Sequence, residues 1–448
     1  MASFPILTVL EQAQVSPPKA TVGDRLLPLT YFDFMWLRQP PIHNLFFYEL
    51  SITQSQFIET IIPKLKHSLS ITLQHFFPFS GNLIVFPTKK PEIHYYEGDS
   101  VAVTFAECNL DFNELIGNHP RDCEMFYHLT PQLGEAEKTS DFTKSPVFSV
   151  QVTLFPNSGI SIGMTNHHCL GDASTRFSFL KAWTTIARFG SDESFLANGT
   201  LPFYDRVKNP KLDESYLKFA KIESFKDEYQ PPKLCGPTDK VRATFILHRT
   251  VLNRFKNLVS TQLSTSAHVS SFTVACAYFW SCIAKIRDDG LQMFAFPIDC
   301  RARMNTKIPA TYFGNCIGWC MAMEQAKQLT GKEGFMTAAK LIGENLHKRL
   351  TDKDGVVKVI ESFGDLFSNG IPTTSIGVAG TPKLKFYDMD FGWGNPTKIE
   401  TISIDYKEAI SMNSCKENNE GLEIGVCLPS TEMESFVRIF EDGLQKYV

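Results

Sequence analysis

Two adjacent histidines precede an aspartate in the run His167-His168-Cys169-Leu170-Gly171-Asp172. The spacing from His168 to Asp172 is H-x-x-x-D. Histidine titrates near neutral pH, so His168 is a candidate general base that takes a proton from an alcohol. Asp172 could orient the imidazole or pair with a cation. The alternative is that Asp172 only caps a helix, a role that aspartate favours.

A strand pattern ends and a helix pattern begins at this run. Residues 148–168 predict a hairpin, because apolar and polar residues alternate on both sides of a turn cluster at 156–159. Over about 172–188 the apolar period changes to that of a helix. His168 continues the parity of one strand face, whereas His167 falls on the other. A metal site is not predicted, because consecutive histidines on a strand diverge and no third ligand is evident.

Arg176 stands one helical turn after Asp172, with Ser174 and Thr175 between them. Free backbone N–H groups at a helix start, two hydroxyls and a guanidinium together make a good seat for a carboxylate. The alternative is a simple i,i+4 ion pair between Asp172 and Arg176. The position at the helix start favours the anion site.

Composition argues against several kinds of partner. The 448 residues include 44 basic and 48 acidic ones, a net charge of −4, so nothing supports a nucleic-acid partner. No apolar run has the length of a membrane span, and the N-terminus does not have the pattern of a secretory signal. The 11 cysteines are scattered without a C-x-x-C pair, which favours reduced thiols in a cytoplasmic protein.

Strand and helix patterns alternate along the whole chain, which predicts an α/β protein. A helix pattern at 55–77 contains Pro63, which should kink or split it. Residues 189–240 are rich in Gly, Pro, Asp and Lys and predict a crossover linker with a short helix. A second set of patterned segments follows. We therefore predict an N-terminal domain at 1–190, a linker at 191–240 and a C-terminal domain at 241–448.

Two further motifs stand downstream, Tyr312-Phe313-Gly314-Asn315-Cys316 and Asp390-Phe391-Gly392-Trp393-Gly394. Each is weak alone, but in this order with H-x-x-x-D they are specific. The chain resembles the BAHD family of plant CoA-dependent acyltransferases over essentially its whole length. This resemblance implies two similar-sized α/β domains like those of chloramphenicol acetyltransferase, with mixed sheets and a crossover loop. It also implies a monomer with an active-site tunnel between the domains, which CoA and the acceptor enter from opposite mouths.

The resemblance also implies roles for the motif residues. His168 matches the catalytic base. Asp172 matches an aspartate that pairs with the arginine of a D-x-R tract, which is Arg301 here, so we expect it to maintain the shape of the site. The last motif is expected to fix a loop away from the chemistry through Asp390, Gly392 and Gly394.

Substrate contacts follow from the same resemblance. Arg176 matches a position that meets the malonyl carboxylate. Lys256 and Ser270 match positions that contact the phosphates of CoA, although a solvated lysine and a helix-capping serine are equally good interpretations. Trp36 either borders the acceptor or is a core tryptophan. Backbone N–H groups or the side chain of Asn315 are candidates for stabilising the tetrahedral oxyanion.

The YFGNC tract and the stretches HHCLGDASTRF, LKAW, SFLANGT and GKEGF are similar to members that act on flavonoid glucosides with malonyl-CoA. The expected reaction moves malonyl from malonyl-CoA to the 6″-hydroxyl of the glucose of an anthocyanidin 3-O-glucoside, without a tightly bound cofactor. The alternative is a hydroxycinnamoyl or acetyl donor with a phenolic glucoside or amine acceptor.

Two other protein classes share part of the pattern. Carrier-dependent condensation domains use H-H-x-x-x-D, but they usually continue with glycine where this chain has Ala173, and they lack DFGWG. A catalytically silent binding protein on the same fold is the second class. The intact His168 and Asp172 argue against it.

Overall fold

The computed structural model describes residues 6–87, 89–219, 239–263, 269–287, 289–304, 307–352, 355, 371–406, 408–416 and 421–445. The strands of these residues are β1 (Leu7–Val15), β2 (Arg25–Pro28), β3 (Ile42–Glu49), β4 (Asn82–Val85), β5 (Glu92–Tyr95), β6 (Val101–Cys108), β7 (Arg121–Asp122), β8 (Glu137–Lys138), β9 (Thr143–Pro146), β10 (Phe148–Phe155), β11 (Gly159–Asn166), β12 (Lys240–His248), β13 (Leu291–Asp299), β14 (Ile317–Gln325), β15 (Thr374–Ala379), β16 (Lys398–Thr401), β17 (Ala409–Ser414) and β18 (Gly421–Pro429).

Their α-helices are α1 (Tyr31–Phe34), α2 (Gln54–Gln56), α3 (Ile62–His75), α4 (Phe112–Ile116), α5 (Glu124–Tyr127), α6 (Ala173–Phe189), α7 (Glu193–Ala197), α8 (Pro210–Phe219), α9 (Arg249–Gln262), α10 (Ser271–Ala284), α11 (Ala326–Thr330), α12 (Gly334–Thr351) and α13 (Ser430–Gln445). Most of the long elements lie where the periodicity predicts them.

Two large mixed sheets organise the described chain. The first has the order β1-β6-β10-β11-β3-β16 and the second β14-β13-β15-β17-β18-β12-β7. Each contains parallel and antiparallel neighbours, for example β10 parallel to β6 and antiparallel to β11. A smaller sheet of order β2-β5-β4-β9-β8, which the sequence patterns do not indicate, adds to the N-terminal half. The expected α/β class with mixed sheets is confirmed.

The two halves of the chain exchange edge strands. Strand β16 comes from the C-terminal half but pairs with β3 in the first sheet, and β7 comes from the N-terminal half but pairs with β12 in the second. A domain boundary placed in the linker therefore leaves two strands, β7 and β16, in the half of the chain whose large sheet they do not join. Division of the chain into domains at 1–190 and 241–448 stays a prediction.

The helix predicted at 55–77 begins at Gln54 and changes register before Pro63. Residues Phe57–Ile61 form a π-helical turn, and α3 starts at Ile62 with the proline at its first turn. Proline has no N–H to donate to the preceding turn, so the break falls where that hydrogen bond would be missing. Helix α3 then packs against α6 beside the first sheet.

Strands β10 and β11 form the predicted hairpin, but both of their faces are buried. One face belongs to the main core beneath α3 and α6, and the other meets a smaller apolar cluster that includes Phe112 and Phe126. The polar residues of the hairpin therefore face protein instead of water. For example, Gln151 donates a hydrogen bond to the backbone oxygen of His128 at 2.8 Å.

The predicted crossover contains two helices in its described part, α7 and α8. Arg206 lies between them and donates to backbone oxygens of Pro28 and Phe313, in different halves of the chain. Residues 220–238 of this segment lie outside the described residues. The linker boundaries at 191–240 remain a prediction.

The ten cysteines within the described residues are all buried and in the thiol form. No helix in this part of the chain combines the length and the apolar character that crossing a bilayer requires. A cytoplasmic location stays a prediction.

Candidate active site

The H-x-x-x-D run lies in the connection between β11 and α6. His168–Leu170 form a single 3₁₀ turn, and Asp172 is the N-cap of α6. Its Oδ1 accepts hydrogen bonds from the backbone N–H groups of Ser174 at 3.0 Å and Thr175 at 3.2 Å. A Cβ atom at Gly171 would lie 2.7 Å from the Thr175 side chain, so this tight connection needs glycine.

The Asp172 carboxylate also makes a bidentate ion pair with Arg301. The distances are 2.8 Å from Nη1 to Oδ2 and 3.1 Å from Nη2 to Oδ1. The Cys316 N–H donates to Oδ2 at 3.0 Å, so the carboxylate joins both halves of the chain. Burial alone would lower the pKa of Arg301, but the charge of Asp172 and its hydrogen bonds raise it. The predicted ion pair is present, and the same carboxylate is also the helix cap.

The two histidines have different surroundings. His167 is fully buried, and burial lowers its pKa to about 4, so it is neutral near pH 7. His168 is 9 % exposed, and its ring stacks on Trp36 with centroids 3.6 Å apart and planes 8° apart. Because the imidazole nitrogens lie at the ring edge, a stacked face leaves their in-plane directions outside the stack. His168 is therefore the better placed base. The tunnel expected at this ring stays a prediction.

Asn315 of the YFGNC motif holds the backbone of His168. Its Nδ2 donates to the His168 carbonyl oxygen at 2.9 Å and to Oδ1 of Asp33 at 3.0 Å. Both N–H groups of the amide are therefore engaged, which leaves the prediction of an oxyanion donor at Asn315 without geometric support. Asn315 therefore positions the backbone of the turn that carries His168.

Asp33 and Arg206 are site residues that the sequence patterns did not single out. The buried Asp33 carboxylate accepts hydrogen bonds from Asn315, from the backbone N–H of Thr30 and from Arg206. It lies three residues before Trp36, so one short segment supplies both the support and the stacking partner of His168. The sequence feature that could have identified Asp33 is its T-x-x-D spacing from Thr30, because these two residues form a capping box.

Arg176 stands apart from the Asp172 ion pair. Its Nη1 donates to Oδ1 of Asn44 at 2.9 Å, and its Nε has no hydrogen-bond partner among the described residues. Burial lowers the pKa of Arg176 to about 10, against a smaller opposite effect of Asp172, so the guanidinium is still charged at neutral pH. The Asp172 carboxylate engages Arg301 instead. This geometry favours an anion site over the simple i,i+4 pair.

The DFGWG loop lies at the other end of α6. Oδ1 of Asp390 accepts from the N–H groups of Gly392 at 2.7 Å and Gly394 at 2.9 Å, whose φ angles are +98° and +110°. Its Oδ2 lies 3.3 Å from Nη1 of Arg188. A 17-residue helix is about 25 Å long, so Asp390 is far from Asp172.

The two predicted CoA contacts lie on neighbouring helices of the C-terminal half. Lys256 is half-buried on α9, and α9 packs against α10. Ser270 is the N-cap of α10, where its Oγ accepts from the N–H of Thr273 at 3.1 Å. The capping interpretation of Ser270 therefore describes its contacts here. A contact of either residue with CoA stays a prediction.

One cluster of potential metal ligands lies within the described residues, formed by Cys123, Asp405 and Cys427. Nη1 of Arg242 lies 3.2 Å and 3.1 Å from the two oxygens of Asp405. A cation would have to displace this guanidinium, so the donor set does not suit a metal. The cluster is separate from the His168 turn.

The chain is similar to known proteins over its whole length. Residues 6–443 match the model of the Transferase family. The chain is 51 % identical to malonyl-coenzyme A:anthocyanin 3-O-glucoside-6''-O-malonyltransferase of Dahlia pinnata, with 100 % of both chains covered. It is 43 % identical to phenolic glucoside malonyltransferase 1 of Nicotiana tabacum, covering 90 % of this chain and 91 % of the relative. The crystal structure of vinorine synthase shares the fold, with a TM-score of 0.69, 19 % identity and 96 % of each chain covered.

Proposed function

We propose that this chain, which belongs to the BAHD branch of the Transferase family and is a CoA-dependent acyltransferase, transfers malonyl from malonyl-CoA to the 6″-hydroxyl of the glucose of an anthocyanidin 3-O-glucoside. The observation that carries the proposal is that a candidate base and a charged arginine lie at the start of the same helix. His168 precedes α6, and Arg176 lies one helical turn beyond Asp172. The side-chain partner of Arg176 is the neutral amide of Asn44. Identity of 51 % over the full length with an anthocyanin malonyltransferase supports it.

The donor is proposed from the charge at Arg176. A malonyl group differs from acetyl by a terminal carboxylate, which binds well to a guanidinium and to the free N–H groups of a helix start. Acetyl and hydroxycinnamoyl groups carry no such charge and would leave the half-buried guanidinium without an ionic partner. We therefore rank malonyl-CoA above those donors.

The proposed reaction is a direct transfer within a ternary complex. His168 removes the proton of the sugar hydroxyl, and the oxygen attacks the thioester carbonyl of malonyl-CoA. The tetrahedral oxyanion collapses with cleavage of the carbon–sulfur bond. The imidazolium then gives its proton to the CoA thiolate, so the histidine returns to its starting state. The new bond is an ester between the malonyl carbonyl and the sugar oxygen, and no acyl-enzyme forms.

The supporting residues have separate proposed roles. Asp172 and Arg301 keep the connection between β11 and α6 in shape, and Asn315 fixes the backbone at His168. Trp36 orients the imidazole by stacking and borders the acceptor. Lys256 and Ser270 are proposed to contact the phosphates of CoA.

The test is to incubate the purified protein with malonyl-CoA, acetyl-CoA or a hydroxycinnamoyl-CoA, each against a panel of flavonoid and simple phenolic glucosides. Release of the CoA thiol and the mass of the product report the reaction and the acceptor. We expect a malonyl ester on an anthocyanidin 3-O-glucoside, and His168→Ala should abolish transfer without changing the thermal unfolding temperature. Near-normal turnover of His168→Ala would contradict the mechanism.

A preference for a simple phenolic glucoside would assign the acceptor instead to the class of the Nicotiana relative. Equal use of acetyl-CoA or a hydroxycinnamoyl-CoA in place of malonyl-CoA would contradict the proposed donor. These outcomes are distinguished in one experiment, because the donor and the acceptor are varied independently.

A further inference from the structure

The partner of the half-buried Arg176 differs from the partners of the buried arginines. Four arginines whose side chains are at most 5 % exposed pair with carboxylates: Arg121, Arg206, Arg242 and Arg301. Arg176 instead donates its Nη1 to the neutral amide oxygen of Asn44. An amide acceptor fixes the direction of a guanidinium without cancelling its charge.

The Asn44 amide is itself oriented from the other half of the chain. Its Nδ2 donates to Oγ1 of Thr401 at 3.1 Å, which points its Oδ1 towards Arg176. Asn44 lies on β3, opposite Met164 of β11 on one side and opposite Thr401 of β16 on the other. The exchanged strand β16 therefore supplies the hydroxyl that sets which amide atom faces the arginine.

The free edge of the guanidinium is suited to a carboxylate. Because Asn44 engages Nη1, the side edge made by Nε and Nη2 points elsewhere, and Nε has no hydrogen-bond partner among the described residues. A carboxylate accepts two parallel N–H bonds from such an edge. A carboxylate from the protein at position 44 would instead compensate the charge before the substrate arrives.

We infer that Asn44 is a specificity-determining positioning residue, which with Thr401 holds Arg176 in place while leaving its positive charge for the carboxylate of an acidic acyl donor. This inference rests on the proposed function of Arg176. Asn44 acts through the arginine and is not proposed to touch the reacting atoms. The class of ligand is an acyl thioester that ends in a carboxylate, such as malonyl-CoA.

The experiment measures kcat/KM for malonyl-CoA and for acetyl-CoA with one acceptor, in the wild type and in Asn44→Asp. The new carboxylate should pair with Arg176 and lower the ratio of malonyl to acetyl use by about tenfold or more, mainly through a higher KM for malonyl-CoA. The exposed Asn113→Asp, on α4, makes the same change in net charge and should leave the ratio unchanged.

Thr401 provides a second variant in case Asn44→Asp folds poorly. Thr401→Val removes the hydroxyl that orients the amide and should lower the same ratio by a smaller factor. Thr401→Ser keeps a hydroxyl and should keep the ratio near its wild-type value. An unchanged ratio in Asn44→Asp, or in Thr401→Val where Asn44→Asp does not fold, would overturn the inference, provided that the variant has the wild-type unfolding temperature.

Arg176→Ala separates the inference from the function on which it rests. If Arg176→Ala loses the malonyl preference while Asn44→Asp keeps it, the inference about Asn44 is wrong and the anion site stands. If Arg176→Ala itself keeps the preference, the proposed anion site is wrong as well.

Discussion

Asp172 and Asp390 belong to two motifs and lie at opposite ends of the same helix, α6, yet their carboxylates have different partners. Asp172 caps the N-terminus, is 3 % exposed and pairs with Arg301 from the other half of the chain. Asp390 is 22 % exposed, binds the backbone of its own loop and faces Arg188, which is 55 % exposed. A motif aspartate can therefore mark either a buried connection between the two halves of the chain or a local turn.

The largest expected effect follows from breaking the buried pair. Asp172→Ala leaves the Arg301 guanidinium buried without its carboxylate and removes the cap of α6. We expect the free energy of unfolding to fall by about 3–5 kcal/mol and acyl transfer to be lost. Urea unfolding monitored by circular dichroism measures this change. A loss below about 1 kcal/mol, the range of an exposed pair, would remove the distinction between the two aspartates.

A pH effect is expected next to Asp172, where His167 is buried in its neutral form. Its pKa is lowered from 6.5 to about 4, so the unfolded chain binds more protons between these values and stability falls as the pH falls through this window. We expect His167 to account for about 2 kcal/mol of the stability lost between pH 7 and pH 5. Urea unfolding at both pH values, with His167→Gln as the comparison, measures this share.

His43 gives a control for that measurement. Burial lowers its pKa to about 3, so it should contribute a similar loss in both proteins. If wild type and His167→Gln lose equal stability on acidification, the His167 prediction is wrong.

A smaller effect is expected at the DFGWG loop. Asp390→Ala removes the acceptor of two backbone N–H groups, which should cost about 1–2 kcal/mol. Because this loop lies about 25 Å from the candidate base, KM for the acceptor should stay near the wild-type value in the folded fraction. Steady-state kinetics below the unfolding temperature check this. A specific rise in KM with unchanged stability would place Asp390 nearer the chemistry than its contacts indicate.

The smallest effect is expected for Arg188→Gln. Its ion pair with Asp390 is solvent-exposed and 3.3 Å long, so we expect less than about 0.5 kcal/mol of destabilisation. A double-mutant cycle with Asp390→Asn measures the coupling directly. Coupling above about 1 kcal/mol would show that this exposed ion pair contributes more to stability than its solvent exposure suggests, and so resembles the buried pair at the other end of α6.

The order of these elements along the chain was predictable where the apolar periodicity is strong. The hairpin of β10 and β11 and the helix α6 lie close to their predicted ranges. Strand exchange was not predictable, because the pairing of β16 with β3 depends on contacts between residues hundreds of positions apart. The burial of both hairpin faces was missed because the apolar cluster on the second face, with Phe112 and Phe126, comes from a segment whose position is set only by the tertiary fold.

The candidate site was predictable in part. The ion pair of Asp172 with Arg301 followed from the family resemblance, and the structure contains it. The support of His168 by Asp33 through Asn315 did not, because a T-x-x-D capping box is common and its distant partners leave no local signal. Asn44 was missed because a single asparagine within a strand pattern shows nothing about the charge that it faces.

The exchange of β7 and β16 has a consequence for any attempt to divide the protein. A chain cut within the crossover would yield two fragments, and each fragment would carry a strand that belongs to the sheet of the other. Each large sheet would therefore have an unpaired edge until the two fragments associate. Recovery of acyl transfer would then require the fragments to fold together. The residue that orients Asn44 would arrive with the second fragment, so donor selectivity would report on correct reassembly.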